Sequence, residues 1–357
     1  MLHKAMPAPV SSSPVTSTGP ASTRKLTAES ARLVAWLTSP WAFRIAIGWY
    51  AVVLGLGLKR FLVWDQITTL EGAGAWSMLA SGHPHTVRWL VMQPAMAWGQ
   101  WDPHQAFTVL CFAYIVSTAV LLARAGARCA GQGESAALRV WIFIPLALLS
   151  LTMNGRLVPA FFGVALLLVL HVERAAGVPR HWAWLLAGQG VGLVCCAVSS
   201  GSFVVGALAV VWSWCTALAA VRHNPQTRRR LVIGVTVAVA GLGGASVMLF
   251  NKALRFFNHA PLAVLDHGLG GYLLPYGSAI TAAGVGLWIA LSTLWWWRWP
   301  TPRAYGSQVR VVIWASLVFG LLGYATLVTA VPAVILLLAL ALASPTEIPR
   351  APAELAQ

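Results

Sequence analysis

Acidic side chains are scarce in this chain: its 357 residues contain 9 aspartates and glutamates against 24 lysines and arginines. Charged residues of both signs make up only 9% of the sequence, whereas an ordinary soluble domain has about 25%. So few charges cannot cover the surface of a globular protein. The composition therefore excludes a soluble enzyme, and the 58% of hydrophobic residues excludes a disordered protein.

The sequence also lacks the short motifs that carry nucleotide or metal chemistry. It has no Walker motif, no GxGxxG fingerprint and no HExxH motif, which argues against an ATPase subunit, a dinucleotide enzyme and a zinc protease. Its five cysteines have no metal-ligand spacing and no pattern of a disulfide framework, so we interpret them as small buried side chains. We expect no cofactor and no metal.

What the chain has instead is a series of continuous apolar runs. A helix needs about 20 residues to cross the hydrocarbon of a bilayer, and ten segments approach or reach that length. The last two are separated by a few residues around Pro332, and nine spans result if they form one broken helix. The sequence thus predicts an all-α, polytopic transmembrane helical bundle. Its spans are 43–63, 106–123, 140–152, 157–171, 182–198, 203–221, 231–250, 278–297, 311–326 and 331–343.

Basic residues predict the orientation of this bundle. If the N-terminus is cytoplasmic, 18 of the 24 lysines and arginines fall on the inner side, in agreement with the positive-inside rule. The same rule explains the net charge of +15 without a nucleic-acid partner. The six basic residues that fall outside are Lys59, Arg60, Arg88, Arg156, Lys252 and Arg255.

The predicted topology divides the chain into a membrane domain and two tails. Residues 1–40, rich in Pro, Ser, Thr and Ala, are predicted to be a disordered cytoplasmic tail. The transmembrane domain covers 41–345, and 346–357 form a C-terminal tail. Two long outer loops, 64–105 and 251–277, interrupt the domain. Because long loops are uncommon unless they are functional, we look for the site there.

Three groups of outer residues are candidates for chemistry. Asp65 and Glu71 follow the first span, and a carboxylate there could act as a general base on a sugar hydroxyl. Arg156 lies between two apolar runs, where an arginine is costly and usually partnered, and its planar guanidinium suits a phosphate. The third group is a possible anion clamp in the last outer loop. Its members are Lys252, Arg255 and His259, which would share one face of a helix, with Asp266 further along.

Residues 154–214 resemble the middle of bacterial exopolysaccharide polymerases of the Wzy-type and EpsG-like kind. The resemblance is carried by NGRLVPAFF at 154–162, where an arginine opens a span, by a basic inner loop, and by the hairpin turn VSSGSF at 198–203. Many EpsG-like relatives have a histidine before the small residues of this turn, whereas this chain has Ser199 and Ser200.

The resemblance implies a bacterial inner-membrane protein that polymerises or exports an exopolysaccharide at the periplasmic face. Its substrate would be repeat units linked to undecaprenyl diphosphate, and Arg156 would hold the diphosphate. A flippase, a chain-length regulator, export proteins and membrane lipid would be its partners, and nucleic acid would not.

Two alternatives stay open at the level of sequence. A membrane-embedded, lipid-sugar-dependent glycosyltransferase would also place an acid in the first outer loop, as Asp65 and Glu71 stand here, and would add one sugar. A transport or export component would have no chemistry. Such a component would tolerate Arg156→Lys, since only charge would matter.

Overall fold

The computed structural model of the chain describes residues 39–61, 77, 80, 86–87, 91, 102–129, 133–152, 155, 157–175, 178, 181–198, 200–220, 225–256 and 277–298. Within these ranges all regular structure is helical and no strand is present, which confirms the all-α prediction. The helices are α1 (Pro40–Gly55), α2 (Pro103–Cys129), α3 (Ala136–Thr152), α4 (Leu157–Ala175), α5 (Trp182–Cys196), α6 (Ser200–Ala220), α7 (Pro225–Phe256) and α8 (Ser278–Arg298).

Each of these helices coincides with one of the first eight predicted apolar segments. The segments at 311–326 and 331–343 and the tail at 346–357 lie outside the described residues. Two helical stretches, His104–Arg128 and Leu157–Arg174, are both long enough and apolar enough to cross a membrane. Their length and composition support a membrane protein.

The boundaries of α1 differ from the prediction at both ends. The helix begins at Pro40, inside the predicted tail 1–40, because proline is favoured in the first turn, where its missing N–H is not needed. It ends at Gly55, before the predicted end of the span at residue 63. Gly57 then adopts a φ of 72°, a left-handed conformation that glycine reaches without strain, and the chain turns.

The two predicted outer loops contain helical residues. In 64–105, the described residues Ser77, Ala80, Thr86, Val87 and Val91 are helical, and α2 already begins at Pro103. In 251–277, α7 continues to Phe256. At 1.5 Å per residue its 32 residues make a helix about 48 Å long, which exceeds a hydrocarbon core of about 30 Å.

Helices α2 and α4 pack in parallel along their length. Near the start of both, the Cys111 thiol lies 3.9 Å from the Gly155 carbonyl oxygen. Halfway along, the rings of Tyr114 and Phe162 are 5.0 Å apart. Near their ends Arg124 Nη2 lies 2.5 Å from Glu173 Oε1.

Helices α1 and α3 form a second parallel pair. Phe43, near the start of α1, meets Phe143, about halfway along α3, edge-on with ring centroids 5.7 Å apart. Further along, the hydroxyl groups of Tyr50 and Ser150 are hydrogen-bonded at 2.6 Å, and the Tyr50 ring stacks on Phe112 of α2. Each pair therefore joins helices that are not consecutive in the chain.

Small residues bring α5 and α6 close to α4. A methyl group at Gly163 of α4 would come within 2.6 Å of the Gly192 carbonyl oxygen of α5, and one at Gly206 of α6 would come within 3.0 Å of Leu167. Gly188 lies beside Leu170, so α5 runs antiparallel to α4. The backbones of α4 and α5 approach closely because no side chain stands between them.

The core is mainly apolar but includes a few polar side chains, and many large apolar side chains lie on the surface. Thr118, Ser150 and Ser202 are fully buried, whereas Trp41 and Trp184 are 64% and 73% exposed. The exposed side of α5 includes Trp182, Val191 and Val194, while its buried residues are Gln189, Gly192, Cys195 and Cys196. Large exposed apolar surfaces mark contact with lipid or with another protein.

Candidate functional site

The parallel pairs give the helix cluster two ends of different charge. One end, here called the Gly155 end, consists of the segment 56–61 after α1, the first turn of α2 and Gly155 between α3 and α4. The opposite end, here called the basic end, contains the start of α3, the last turns of α2 and α4, and the first turns of α1 and α7. Its described arginines are Arg44, Arg124, Arg128, Arg139, Arg174, Arg228 and Arg229.

Asp102 organises the Gly155 end. It immediately precedes α2, which begins at Pro103, and its carbonyl oxygen accepts a hydrogen bond from the Ala106 N–H at 3.0 Å. Its carboxylate accepts the His104 N–H at 3.2 Å and forms an ion pair with the Arg60 guanidinium. An acid at the start of a helix satisfies free N–H groups and interacts favourably with the helix dipole.

Thr108 ties the segment after α1 to the same turn. Its hydroxyl donates to the His104 carbonyl oxygen at 2.7 Å and accepts from the Phe61 N–H at 3.0 Å. Phe61 is itself buried. The backbone of residues 60 and 61 is therefore fixed against α2 by hydrogen bonds and by packing.

Gly155 is the point at which α4 joins this end. The residue is buried, and a methyl group on it would come within 2.7 Å of the Phe107 ring and 3.1 Å of the Phe61 Cβ. Both neighbours are aromatic residues packed in the core, so only glycine fits. Arg156 follows Gly155 in the sequence and precedes the buried Leu157, the first residue of α4.

Two cations stand at the Gly155 end. The Lys59 ammonium lies 5.4 Å from the centroid of the Phe61 ring, and the Arg60 side chain is 48% exposed. With Asp102, which is 35% exposed, the three groups carry a net charge of +1. Lys59 is partly buried and Arg60 is exposed, and such a pair of cations is suited to an anion, above all to a phosphate.

Most predicted site residues lie outside the described part of the chain. This holds for Asp65, Glu71, Arg156, His259 and Asp266. Lys252 and Arg255 lie in the final turns of α7, so the expected helix is present at both positions. The site prediction therefore stays a prediction for all seven residues.

Asp102 and Arg60 were missed as site residues by sequence reasoning. The sequence places both on the outer side, but it does not pair residues 60 and 102 across the intervening loop. The dipeptide Asp102-Pro103 before an apolar run is the signal that could have drawn attention to them, since it is typical of a helix start.

The basic end carries a second set of charged contacts. Glu173 is 1% exposed and pairs with Arg124, which is 40% exposed. Arg174 lies over the Trp214 ring at 4.5 Å, and the Trp214 indole N–H donates to Gln189 at 3.0 Å. Near the start of α3, a hydrogen bond to the Glu134 carboxylate raises the pKa of Arg139. These contacts join α2, α4, α5 and α6.

Metal-ligating side chains do not gather into a group of three anywhere in the described ranges. Comparison of the chain with family models, with curated proteins and with solved structures finds no match. The resemblance carried by residues 154–214 is therefore a hypothesis.

Proposed function

We propose that the chain is a multi-pass protein of a bacterial inner membrane, with ten spans, or nine if the last two merge. The exposed apolar surface supports this proposal, because outward tryptophan, valine and leucine side chains suit helices surrounded by lipid. Apart from the two stretches that are both long and apolar enough to cross a membrane, five shorter apolar helices are present among the described residues. Polar residues flanking these shorter helices would complete the crossing.

The orientation we propose places the basic end in the cytoplasm together with the N-terminus. The described arginines concentrate at that end, as the positive-inside rule requires. The Gly155 end then faces the periplasm. This orientation places the basic residues Lys59 and Arg60 on the outer side. The positive-inside rule does not explain basic residues there, so a function is the alternative explanation.

The function we propose is polymerisation or export of an exopolysaccharide from undecaprenyl-diphosphate-linked repeat units at the periplasmic face. One observation carries it: the buried Gly155, which precedes Arg156, contacts Phe61, which follows the cations Lys59 and Arg60. A diphosphate needs several positive donors as it departs, and donors fixed in advance stabilise that charge most effectively.

In the catalytic form of this proposal, an acceptor sugar hydroxyl attacks the anomeric carbon of the lipid-linked donor. The bond between that carbon and the diphosphate oxygen breaks, and the diphosphate leaves with the electron pair. The hydroxyl proton passes to a carboxylate, Asp65 or Glu71. Arg156 holds the diphosphate, and Lys252 and Arg255 assist it as members of the anion clamp that includes His259, with Asp266 further along the same loop. No cofactor takes part.

Replacement of Arg156 tests the proposal. We expect Arg156→Ala to abolish polymer and to cause lipid-linked intermediate to accumulate, because the departing diphosphate loses its bidentate donor. Arg156→Lys should retain only a minor part of the activity, since an ammonium lacks the planar fork of the guanidinium. Polymer and lipid-linked intermediate are measured in cells that express each variant at wild-type level.

Arg228→Ala is the matched control, because Arg228 is an exposed arginine at the basic end and should leave polymer unchanged. Normal polymer in Arg156→Ala cells would remove the proposed diphosphate site. Addition of a single sugar, without a ladder of chain lengths, would favour the lipid-sugar-dependent glycosyltransferase. Polymer retained inside Arg156→Ala cells would favour an export component.

A further inference from the structure

We propose that Arg60 directly contacts a phosphate-bearing anion at the Gly155 end, and that Asp102 is the residue that positions Arg60 for this contact. The identification of the anion as the diphosphate of a lipid-linked sugar rests on the proposed function. The anion site itself rests on the contacts of Arg60, Asp102 and Thr108.

Arg60 has more hydrogen-bond donors than its ion pair with Asp102 uses. A guanidinium carries five N–H donors, and the ion pair engages it through Nη2. About half of the side chain is exposed, so a ligand can reach it. Lys59 precedes Arg60 in the chain, and together with Asp102 the three groups carry a net positive charge. An anion with several oxygens fits such a group better than a neutral ligand does.

Both the side chain and the main chain of Arg60 are held in place. Its side chain is fixed by Asp102, whose carboxylate also accepts the His104 N–H and whose backbone begins α2. Its main chain is fixed by the next residue, Phe61, through Thr108. The guanidinium is thus anchored to the N-terminus of a long helix. A donor that is held in advance loses little conformational entropy when it binds a ligand.

The ion pair between Arg60 and Asp102 contributes little to the stability of the fold. Arg60 and Asp102 are both at least a third exposed, and exposed ion pairs contribute little to stability. The pair Arg124 and Glu173 is different, because there the carboxylate is buried and requires a partner. The exposed pair instead fixes the orientation of the Arg60 guanidinium.

Arg60 stands where α4 joins the Gly155 end. It directly precedes Phe61, which is in contact with Gly155. Arg60 therefore belongs to the same end of the cluster as the start of α4.

Direct binding tests this inference. The full-length protein in lipid nanodiscs is titrated calorimetrically with inorganic pyrophosphate and, separately, with a short-chain polyisoprenyl diphosphate. We expect both probes to bind the wild type, and Arg60→Gln to weaken both about tenfold or more, as expected for the loss of charge-assisted hydrogen bonds. Tighter binding of the isoprenyl probe would identify a lipid-borne anion, and equal binding would identify a free one.

Asp102→Asn separates positioning from simple electrostatics. Removal of a negative charge beside an anion site should tighten anion binding if Asp102 acts only through its charge. If Asp102 positions Arg60, affinity for pyrophosphate should fall about threefold to tenfold, because a neutral amide pairs more weakly with a guanidinium. Asp102→Glu should restore most of the affinity.

Arg228→Gln at the basic end is the matched control for loss of one positive charge, and it should leave both affinities unchanged. Because the exposed pair adds little stability, the variants should unfold at the wild-type temperature. If Arg60→Gln folds poorly, Arg60→Lys is used instead. This variant keeps the positive charge but lacks the planar guanidinium, and it should bind pyrophosphate at least about threefold more weakly than the wild type.

Three results would overturn the inference: no pyrophosphate binding to the wild type, wild-type affinity in Arg60→Gln, or tighter binding in Asp102→Asn. The proposed function fails on a different measurement, namely normal polymer in Arg156→Ala cells. If Arg60→Gln loses anion binding while Arg156→Ala cells make normal polymer, the anion site at Arg60 is supported and the proposed polymerase function is rejected.

Discussion

Individual charged residues at the basic end act through partners on other helices. Glu173 is buried and pairs with Arg124. From the sequence each looks like an ordinary charge near a helix end. Their pairing could not be predicted, because it requires knowledge that α2 and α4 run in parallel. The same limit applies to Asp102 and Arg60, which the sequence separates by a long loop.

At the residue scale, we expect Arg124→Gln to lower the free energy of unfolding by about 1–3 kcal/mol, because it removes a partner of a buried carboxylate. The loss of a fully buried partner costs about 3–5 kcal/mol, and the 40% exposure of Arg124 reduces that figure. The double variant Arg124→Gln/Glu173→Gln should recover most of the loss. Unfolding is followed by SDS titration, with the exposed Arg128→Gln on the same helix as control. A loss in Arg128→Gln as large as that in Arg124→Gln would contradict a specific pair.

Whole helices were the best-predicted part of the molecule. The apolar runs give the starts of α4, α5 and α8 at Leu157, Trp182 and Ser278, as the structure has them. The end of α1 was missed because apolar residues continue on both sides of Lys59 and Arg60, and hydropathy does not register the left-handed turn at Gly57. The shapes of the side chains decide which helices pack together. The periodicity of apolar residues in the sequence does not predict this pairing.

At the element scale, we expect Gly163→Ala to destabilise the packing of α4 on α5 by about 1–3 kcal/mol. The added methyl group would come within 2.6 Å of the Gly192 carbonyl oxygen and 2.8 Å of the Cys196 nitrogen. Both atoms belong to the backbone and cannot rotate away. Gly190→Ala on α5 is the control, since nothing lies within 4 Å of that position, and its stability should be unchanged or slightly raised. Equal thermal unfolding of the two variants would contradict close backbone packing.

For the whole molecule, composition and charge predicted a bundle with two unlike ends, and the described helices do have a basic end opposite the Gly155 end. The candidate site could be predicted only in part. Site residues in long outer segments follow no helical or strand periodicity. The sequence therefore identifies which residue types are present there, but it does not predict which of them are in contact.

At this scale the proposed topology makes a labelling prediction. In a background without native cysteines, we expect Lys59→Cys to react with a membrane-impermeant maleimide from the periplasmic side of intact cells. Arg228→Cys should react only after lysis, because the basic end faces the cytoplasm. Labelling of Arg228→Cys in intact cells, or protection of Lys59→Cys, would reverse the orientation and place the Gly155 end in the cytosol.

The parallel pairing of α1 with α3 has a consequence for synthesis. The Tyr50 hydroxyl of α1 meets its partner Ser150 only after 100 further residues, which a ribosome adds in about 5–20 s. During that interval α1 and α2 have emerged, yet the inner face of α1 lacks the helix on which it packs. Assembly therefore cannot proceed as a series of closed hairpins, and a nascent chain halted before α3 should need an insertase or chaperone to shield its first helix.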